Sequence, residues 1–359
     1  MNTNPYRYEN PLDPEKDKLV CIPRTEEIHR VIGGIRKGDY WSILGPKQIG
    51  KTTFLRQVKK EFPHAYYIYI NIKNTPRKAE NFYQQLIHTL VAEIPSQPIK
   101  ANSSKWKKYS PELGFFEFLK TFNPKYDSKK IILLFDDSDD LPFLKTFLGL
   151  WRKVFHDRQE EKQLNKYVII ICGSQDLIAE TNGPTSPFNI AEIITIKDFS
   201  KKDSETLIAE PMKHLSIEIT PKAKEKLLFQ ISGHPQLLQH ACYLLVDRAI
   251  ISKQGITGKT VEEVIKELLT DNNSLRILKQ DLNKDSKLDR LVRDVLIGKK
   301  QKFSPNQEYS LAGAGPIIDR DSYCAIRNRM YEQYIKNIWE NSNKESPNLN
   351  LKKDGNNDN

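Results

Sequence analysis

The sequence has 359 residues, 38% of them hydrophobic and 28% charged, which is typical of a globular chain of two or three domains. Its apolar runs are too short to span a membrane and its polar start carries no signal-peptide core, so we expect a cytoplasmic protein with no membrane span. The formal net charge of +10 permits contact with nucleic acid, but a solvated lysine-rich surface produces the same count.

The four cysteines are scattered along the chain with no Cys-x-x-Cys pair. Two of them, Cys172 and Cys242, lie in apolar runs. This distribution predicts buried free thiols in a reducing compartment and argues against a metal centre built on cysteine.

The chain begins with residues 1–20, which we predict to be an extended N-terminal segment. A helix follows, with Thr25 as its expected N-cap and with Ile28 and Val31 on its apolar face. Arg24, immediately before this helix, could touch a bound ligand, but an exposed arginine is the simpler interpretation.

A strand predicted at residues 39–44 leads into the sequence Gly-Pro-Lys-Gln-Ile-Gly-Lys-Thr at 45–52. Two glycines separated by four residues and followed by Lys and a hydroxyl residue form the pattern of a phosphate-binding loop. The backbone amides of such a loop enclose a phosphate only if bulky side chains stay out of its turns, which explains the glycines. Lys51 can reach the β and γ oxygens, and Thr52 can offer its hydroxyl to Mg²⁺.

A helix predicted from Thr52 to residue 60 completes the strand, loop and helix that a nucleotide site requires. We therefore expect the chain to bind ATP or ADP together with Mg²⁺. The predicted nucleotide contacts in the loop and the start of its helix are Gly45, Pro46, Gln48, Gly50, Lys51, Thr52 and Thr53.

The next predicted elements are a strand at residues 65–72 and an amphipathic helix at 81–94. Residues 95–111 are polar and rich in lysine around Trp106. Basic residues beside Trp106 and Tyr109 could stack on a nucleic acid, but a variable surface loop is the more economical interpretation.

A second chemical motif begins with the continuous apolar run at residues 131–135, which is typical of a strand buried on both faces of a parallel sheet. Asp136 and Asp137 follow it, at the strand end where ligands bind. Asp136 is predicted to hold Mg²⁺ through water, and Asp137 to orient or deprotonate the attacking water. Because Asp is one methylene shorter than Glu, which many hydrolytic relatives carry there, we expect slow hydrolysis.

Another buried strand at residues 167–173 ends in Ser174 and Gln175. A polar side chain at this strand end senses the γ-phosphate in P-loop ATPases, and a simple turn explains either residue equally well. The predicted catalytic set is therefore Lys51, Asp137 and Ser174. A last strand is expected at 191–196.

Strands that alternate with helices predict an α/β fold. We assign residues 21–198 to a three-layer, parallel-sheet P-loop NTPase domain with about five strands. From residue 199 to 270 the pattern is purely helical, and this region is predicted to be a lid. Gly233 ends one of its helices and Pro235 begins an almost wholly apolar one.

The run from residue 207 to 238 resembles the lid of the bacterial AAA-like ATPases grouped with the STAND family of signal-transduction NTPases. The similarity extends over the P-loop, the Asp136-Asp137 pair and residues 186–189. In that family a Gly-x-Pro motif contacts the nucleotide, so the resemblance implies that His234 and Pro235 face adenine and phosphate.

The C-terminal part contains a polar stretch at residues 270–287, predicted helices at 288–297 and 306–312, a β-hairpin within 315–326 and a final helix at 327–339. Helices followed by a two-stranded wing predict a winged-helix domain at 284–340, as the resemblance also implies. The asparagine-rich residues 341–359 are predicted to be a disordered tail.

Two functions remain open, with a nucleotide-bound scaffold as a third. The resemblance implies a switch whose ADP and ATP states differ in conformation, in homo-oligomer formation or in partner binding. Such a core has no long repeat array, so its sensor or effector would be a separate protein. The basic winged helix instead suggests a DNA-binding ATPase similar to archaeal initiators or transposition regulators.

Overall fold

The computed structural model describes residues 3–96, 108–125, 129–174, 177, 186, 188–303 and 314–345. Its first part is an α/β domain with one parallel sheet, and its second part consists of helices and a small hairpin. The predicted helix at 306–312, as well as Trp106, Gln175 and residues 346–359, lie outside the described residues.

Five strands form the sheet of the first domain: β1 (Tyr40–Leu44), β2 (Tyr66–Asn71), β3 (Ile131–Asp136), β4 (Tyr167–Gly173) and β5 (Ala191–Thr195). Their order is β2-β3-β4-β1-β5, and every neighbouring pair is parallel. The three inner strands are fully buried, because helices cover both faces of the sheet. The predicted three-layer α/β fold is confirmed.

Five helices cover this sheet. On one face lie α1 (Thr25–Lys37) and α2 (Lys51–Glu61), and on the other α3 (Ala79–Glu93), α4 (Pro111–Thr121) and α5 (Leu144–Asp157). Helix α4, whose aromatic residues pack into the second layer, was not predicted from the sequence. The expected cap of α1 was wrong: Thr25 is its first helical residue and Arg24 takes the N-cap position without a side-chain bond.

The second part contains seven helices and one hairpin within the described residues. The helices are α6 (Lys201–His214), α7 (Pro221–Ile231), α8 (Pro235–Ser252), α9 (Gly258–Thr270), α10 (Asn273–Lys284), α11 (Ser286–Leu296) and α12 (Arg329–Glu345), and the hairpin strands are β6 (Ile317–Arg320) and β7 (Tyr323–Ile326). The hairpin lies where it was predicted.

Two boundaries in this second part differ from the predictions. The polar stretch at 270–287 is mostly helix α10, whose Leu275, Leu278 and Leu282 reach the core. Helix α12 continues to Glu345, five residues into the predicted tail. In α10 a polar composition concealed a helix, because only every third or fourth side chain needs to be apolar.

The N-terminal segment has no helix or strand at residues 3–8, and it packs against the rest of the protein, which the sequence had not predicted. Tyr6 is buried and its hydroxyl donates to the Leu207 carbonyl at 2.8 Å. The Asn4 amide donates to the Tyr243 carbonyl at 2.9 Å, and the Leu12 amide donates to Thr53 Oγ1 at 3.1 Å. The segment thus joins the helical part to the helix that follows the P-loop.

A buried polar group, which we call the Arg327 cluster, joins the two parts on another side. It consists of Asp198, Arg327, Tyr331 and His234. The Arg327 guanidinium forms a bidentate ion pair with Asp198, with Nε 2.8 Å from Oδ2. His234 Nε2 lies 3.1 Å from the Tyr331 hydroxyl. The cluster ties the end of the α/β domain to α8 and α12.

None of the described helices combines the length and apolar character needed to cross a bilayer. All four cysteines are buried free thiols, as the sequence predicted.

Candidate nucleotide-binding site

A cavity of about 370 Å³ lies between the P-loop and the helical second part. Most of its wall comes from the N-terminal segment, the P-loop with α2, the ends of β2 and β3, and the starts of α8 and α10. The predicted site residues that line the cavity are Gln48, Gly50, Lys51, Thr52, Thr53, Asp136, Asp137 and Pro235.

The C-terminal end of the P-loop adopts the conformation that its glycine pattern predicts. Gly50 has φ +96° and Gln48 has φ +63°, so the loop turns twice through the left-handed region before α2 begins. Lys51 Nζ donates to the carbonyls of Gly45 at 2.8 Å and Pro46 at 3.0 Å. Burial lowers the pKa of Lys51, so an anionic phosphate beside it would stabilise its charged form.

The predicted magnesium ligands meet at the mouth of the sheet. Thr52 Oγ1 donates to Asp136 Oδ2 at 2.5 Å, and the Tyr69 hydroxyl donates to the same oxygen at 2.9 Å. The described residues contain no group of three or more His, Cys, Asp or Glu that could hold a metal by itself. The pair fits Mg²⁺ nevertheless, because this ion prefers hard oxygen ligands and takes its other ligands from water and substrate phosphates.

Asp137 occupies a constrained position next to the magnesium pair. It has φ +54°, which is uncommon for a residue with a side chain. Its Oδ2 lies 2.9 Å from Lys73 Nζ and accepts a hydrogen bond from Asn71 Nδ2 at 3.3 Å. The carboxylate therefore faces the cavity with one oxygen already engaged.

Ser174 does not line the cavity. Its amide and hydroxyl both contact Asp139 Oδ2, at 2.6 and 3.1 Å. The Leu177 amide donates to the other oxygen of Asp139 at 3.1 Å, so Asp139 ties together the turn after β4. This contact corresponds to the turn interpretation of Ser174, and a role in γ-phosphate sensing remains a prediction.

The Gly-His-Pro motif divides its contacts between the cavity and the interior. Pro235 lines the cavity, whereas His234 is fully buried, caps α8 and contacts Tyr331. Burial lowers the pKa of His234 to about 3, so the ring is neutral. Gly233 has φ +81°, and a Cβ there would lie 2.3 Å from the Phe199 carbonyl oxygen. The geometry thus directs His234 to the Arg327 cluster, away from the cavity wall.

Besides Lys73, which lies at the end of β2, three groups of cavity residues were not identified from the sequence. The first is the N-terminal segment, including Tyr8 and Leu12. The second is Gln236 and Gln239 on α8. The third is α10, whose Asn273 and Ile277 line the wall. The only signal for α8 was its position directly after Pro235.

Arg24 also lines the cavity, so the favoured interpretation of an exposed side chain was wrong. Its guanidinium donates to the Ile49 carbonyl at 3.3 Å and lies 5.1 Å from the centre of the Phe199 ring. These contacts place a fixed positive charge between the P-loop and the beginning of the helical part.

One contact connects the P-loop directly to α10. Ser274 Oγ lies within hydrogen-bond distance of Gln48 Oε1 and 2.7 Å from Gln236 Oε1. A hydroxyl has a single proton to donate, so it can serve one of these two oxygens at a time. Gln48 is thereby sensitive to the position of the helical part.

A parallel five-stranded sheet, a glycine loop leading into a helix and an acid pair at the end of a neighbouring strand define a P-loop nucleotide-binding ATPase. The sequence matches the family model for the AAA-like domain over residues 16–337. The chain therefore belongs to the AAA-like domain family. No significant match is found among the curated proteins.

Solved structures agree with this fold. A Walker-type ATPase of Pyrococcus abyssi superposes with a TM-score of 0.59 at 15% identity, covering 88% of this chain and 96% of the other. Cdc6p from Pyrobaculum aerophilum gives a TM-score of 0.51 at 15% identity, with 89% and 96% covered. A single-residue variant of RuvB from Thermotoga maritima gives 0.50 at 12% identity, with 90% and 97% covered. At these identities the similarity concerns the fold alone.

Proposed function

We propose that this chain is a slowly hydrolysing ATPase that acts as a switch: its nucleotide state controls how the helical part contacts the P-loop domain. The observation that carries this proposal is the composition of the cavity wall. One bound nucleotide would touch the P-loop, the N-terminal segment, α8 and α10 at once. A ligand that contacts two parts of a protein favours whichever arrangement gives it more contacts.

The link between Gln48 and α10 supports this coupling. Gln48 belongs to the loop that would surround the phosphates, and its side chain contacts Ser274. A change of the loop on binding or loss of a phosphate would therefore be felt by α10. The same hydroxyl has Gln236 on α8 as an alternative acceptor, so it connects the loop to α8 as well as to α10.

The site chemistry assigns a role to each residue around the phosphates. Lys51 would neutralise the β and γ oxygens, and the amides at the start of α2 would bind them. Thr52 and Asp136 would hold Mg²⁺, which neutralises developing charge on the phosphates. Asp137 would orient the attacking water and accept its proton.

We include slow turnover in the proposal because the Asp137 carboxylate already has an ion-pair partner and a hydrogen-bond donor. Its Oδ2 is shared between Lys73 and Asn71, and an Asp side chain reaches less far than a Glu. A slow hydrolytic step keeps each nucleotide state long enough to be recognised by a partner. Adenine as the base and the grouping with STAND-type switches are likewise proposed, from the resemblance of the lid sequence.

Light scattering on the purified protein tests the switch. The molar mass is measured with ADP, with ATP and Mg²⁺, and with a non-hydrolysable ATP analogue and Mg²⁺. We expect the analogue to change the mass or the hydrodynamic radius relative to ADP, because it fills the γ-phosphate position permanently. Identical values in all nucleotide states, with nucleotide binding verified in the same samples, would contradict the switch.

A further sample containing random duplex DNA at two salt concentrations tests the alternative function. Basic residues of the second part, among them Arg290, Lys300 and Arg320, would bind the DNA backbone if the alternative were correct. A mass change that requires DNA and disappears at the higher salt concentration would replace the switch with a DNA-binding ATPase. No effect of DNA would leave separate protein partners as the targets.

A further inference from the structure

Lys73 is placed by a short turn at the end of β2, on the acidic side of the cavity. Residues Ile72–Asn74 form a single 3₁₀ turn, which the Asn71 side chain caps by accepting from the Lys73 amide at 3.0 Å. The Lys73 ammonium lies 2.9 Å from Asp137 Oδ2 and 3.7 Å from Asp140 Oδ2. The sequence patterns had assigned this lysine no role.

The charges around the cavity explain why this position matters. Five cationic residues are found among the described residues that line it: Arg7, Arg24, Lys47, Lys51 and Lys73. Arg7 is paired with Asp17, and Arg24 is bonded to the Ile49 carbonyl. Within this set, Lys73 is the cation that forms an ion pair with Asp137, the residue that follows β3.

The ion pair between Lys73 and Asp137 can be broken at little cost in stability, so Lys73 can take another anionic partner. The Lys73 side chain is 50% exposed and that of Asp137 is 31% exposed, so water screens the pair and its net contribution to stability is small. Partial burial lowers the pKa of Lys73, but the hydrogen bond and the charge of Asp137 outweigh this effect and raise it above its usual value. The ammonium therefore stays charged while its partner can be replaced.

We propose that Lys73 binds the γ-phosphate. When ATP occupies the cavity, the Lys73 ammonium breaks its ion pair with Asp137 and contacts a terminal phosphate oxygen instead. This inference rests on the nucleotide site described above and deepens it, since it names the residue that distinguishes ATP from ADP. Lys51 would contact the β-phosphate, which both nucleotides carry, as well as the γ-phosphate, whereas Lys73 would contact the γ-phosphate alone. Lys73 reaches the cavity from the opposite side, where the acid pair and the attacking water belong.

The exchange has a second consequence for Asp137. In the structure, Oδ2 of Asp137 receives both Lys73 and Asn71. When the ammonium moves to the phosphate, this oxygen loses its ion-pair partner and has room for a hydrogen bond from water. Lys73 thus links recognition of the third phosphate to release of the carboxylate that orients water.

The test compares equilibrium affinities of three proteins for ADP and for a non-hydrolysable ATP analogue, both with Mg²⁺, by isothermal titration calorimetry. The proteins are the natural chain, Lys73→Met and the matched control Lys78→Met, which removes an exposed charge from the same connection. We expect Lys73→Met to lose about tenfold in affinity for the analogue and to keep its ADP affinity within about twofold. Lys78→Met should behave as the natural chain.

Three other results would overturn the inference. Equal loss for both nucleotides would mean that Lys73 contributes general positive charge or structure. Unchanged affinities with faster turnover would mean that it only restrains Asp137, and unchanged affinities with unchanged turnover would mean that it is a surface ion pair. Lys73→Arg keeps the charge and should recover most of the affinity for the analogue. These affinities do not depend on any change of mass, so the result is separate from the test of the switch.

Discussion

The two sides of the nucleotide cavity are built in different ways. The phosphate side consists of residues 45–53 and the pair Asp136 and Asp137, which are continuous motifs at the ends of buried strands. The far wall consists of the N-terminal segment and the starts of α8 and α10, which include Tyr8, Gln239 and Ile277.

We therefore expect phosphate binding and the proposed coupling to depend on different kinds of residue. A local motif needs only a strand and a helix to present it, so it is recognisable in any sequence. The far wall exists only when distant segments pack together, as when Ser274 contacts Gln48 across 226 positions. A nucleotide bound as proposed would touch both sides, so its affinity would depend on how these distant segments pack.

The largest expected effect comes from breaking the Arg327 cluster, which holds the far wall in place. Arg327→Met removes a buried guanidinium and leaves the half-buried Asp198 without its ion-pair partner, and this should lower the free energy of unfolding by about 3 kcal/mol. Urea unfolding followed by circular dichroism measures it. Arg329→Met, which removes an exposed arginine paired with Glu332, should cost less than about 1 kcal/mol. Equal losses for both variants would show that the cluster does not join the two parts.

The next effect concerns the phosphate side. Lys51→Ala removes the ammonium that the P-loop holds against its own carbonyls, and nucleotide affinity should fall about 100-fold or more. Titration with a fluorescent ADP analogue measures this loss. Lys59→Ala, a change on an exposed turn of the same helix, is the control. Undiminished affinity in Lys51→Ala would mean that the phosphates do not bind at this loop.

Asp137→Ala separates binding from turnover on the same side of the cavity. Nucleotide affinity should be kept, whereas phosphate release should fall about 100-fold, because water would lose the group that orients it. A coupled phosphate assay measures the rate under saturating ATP. Asp140→Ala, which changes the more distant acid contacted by Lys73, should have a much smaller effect on the rate. Undiminished turnover in Asp137→Ala would mean that another residue orients the attacking water.

A further effect is a pH dependence of stability that belongs to His234 and His240 of α8. Burial lowers the pKa of His234 to about 3 and that of His240 to about 4, whereas an unfolded histidine titrates near pH 6.5. Protons therefore bind preferentially to the unfolded chain, and stability is lost as the pH falls below about 6.5. Each histidine should cost about 2 kcal/mol between about pH 7.5 and pH 5.

Urea unfolding at several pH values measures this slope. Whatever its absolute stability, His234→Gln should lose about half of the pH dependence between about pH 7.5 and pH 5. An unchanged slope would mean that His234 binds its proton as readily in the folded protein as in the unfolded chain, and the Arg327 cluster would then need a different arrangement of hydrogen bonds.

The sequence by itself determined the parallel sheet, the P-loop and the acid pair. Residues 131–135 are apolar without interruption because a central strand is buried on both faces, and such a run is visible before folding. The glycines at 45 and 50 are equally visible, since few other residues suit their backbone.

Only the tertiary structure decided which segments close the cavity. Tyr8 and Arg24 lie in a stretch with no periodic pattern, and α10 is polar enough to be taken for a loop. The direction of His234 was decided in the same way, because Tyr331 is separated from it by 97 positions. Contacts of this kind depend on the docking of whole elements, whereas a motif depends on its neighbours along the chain.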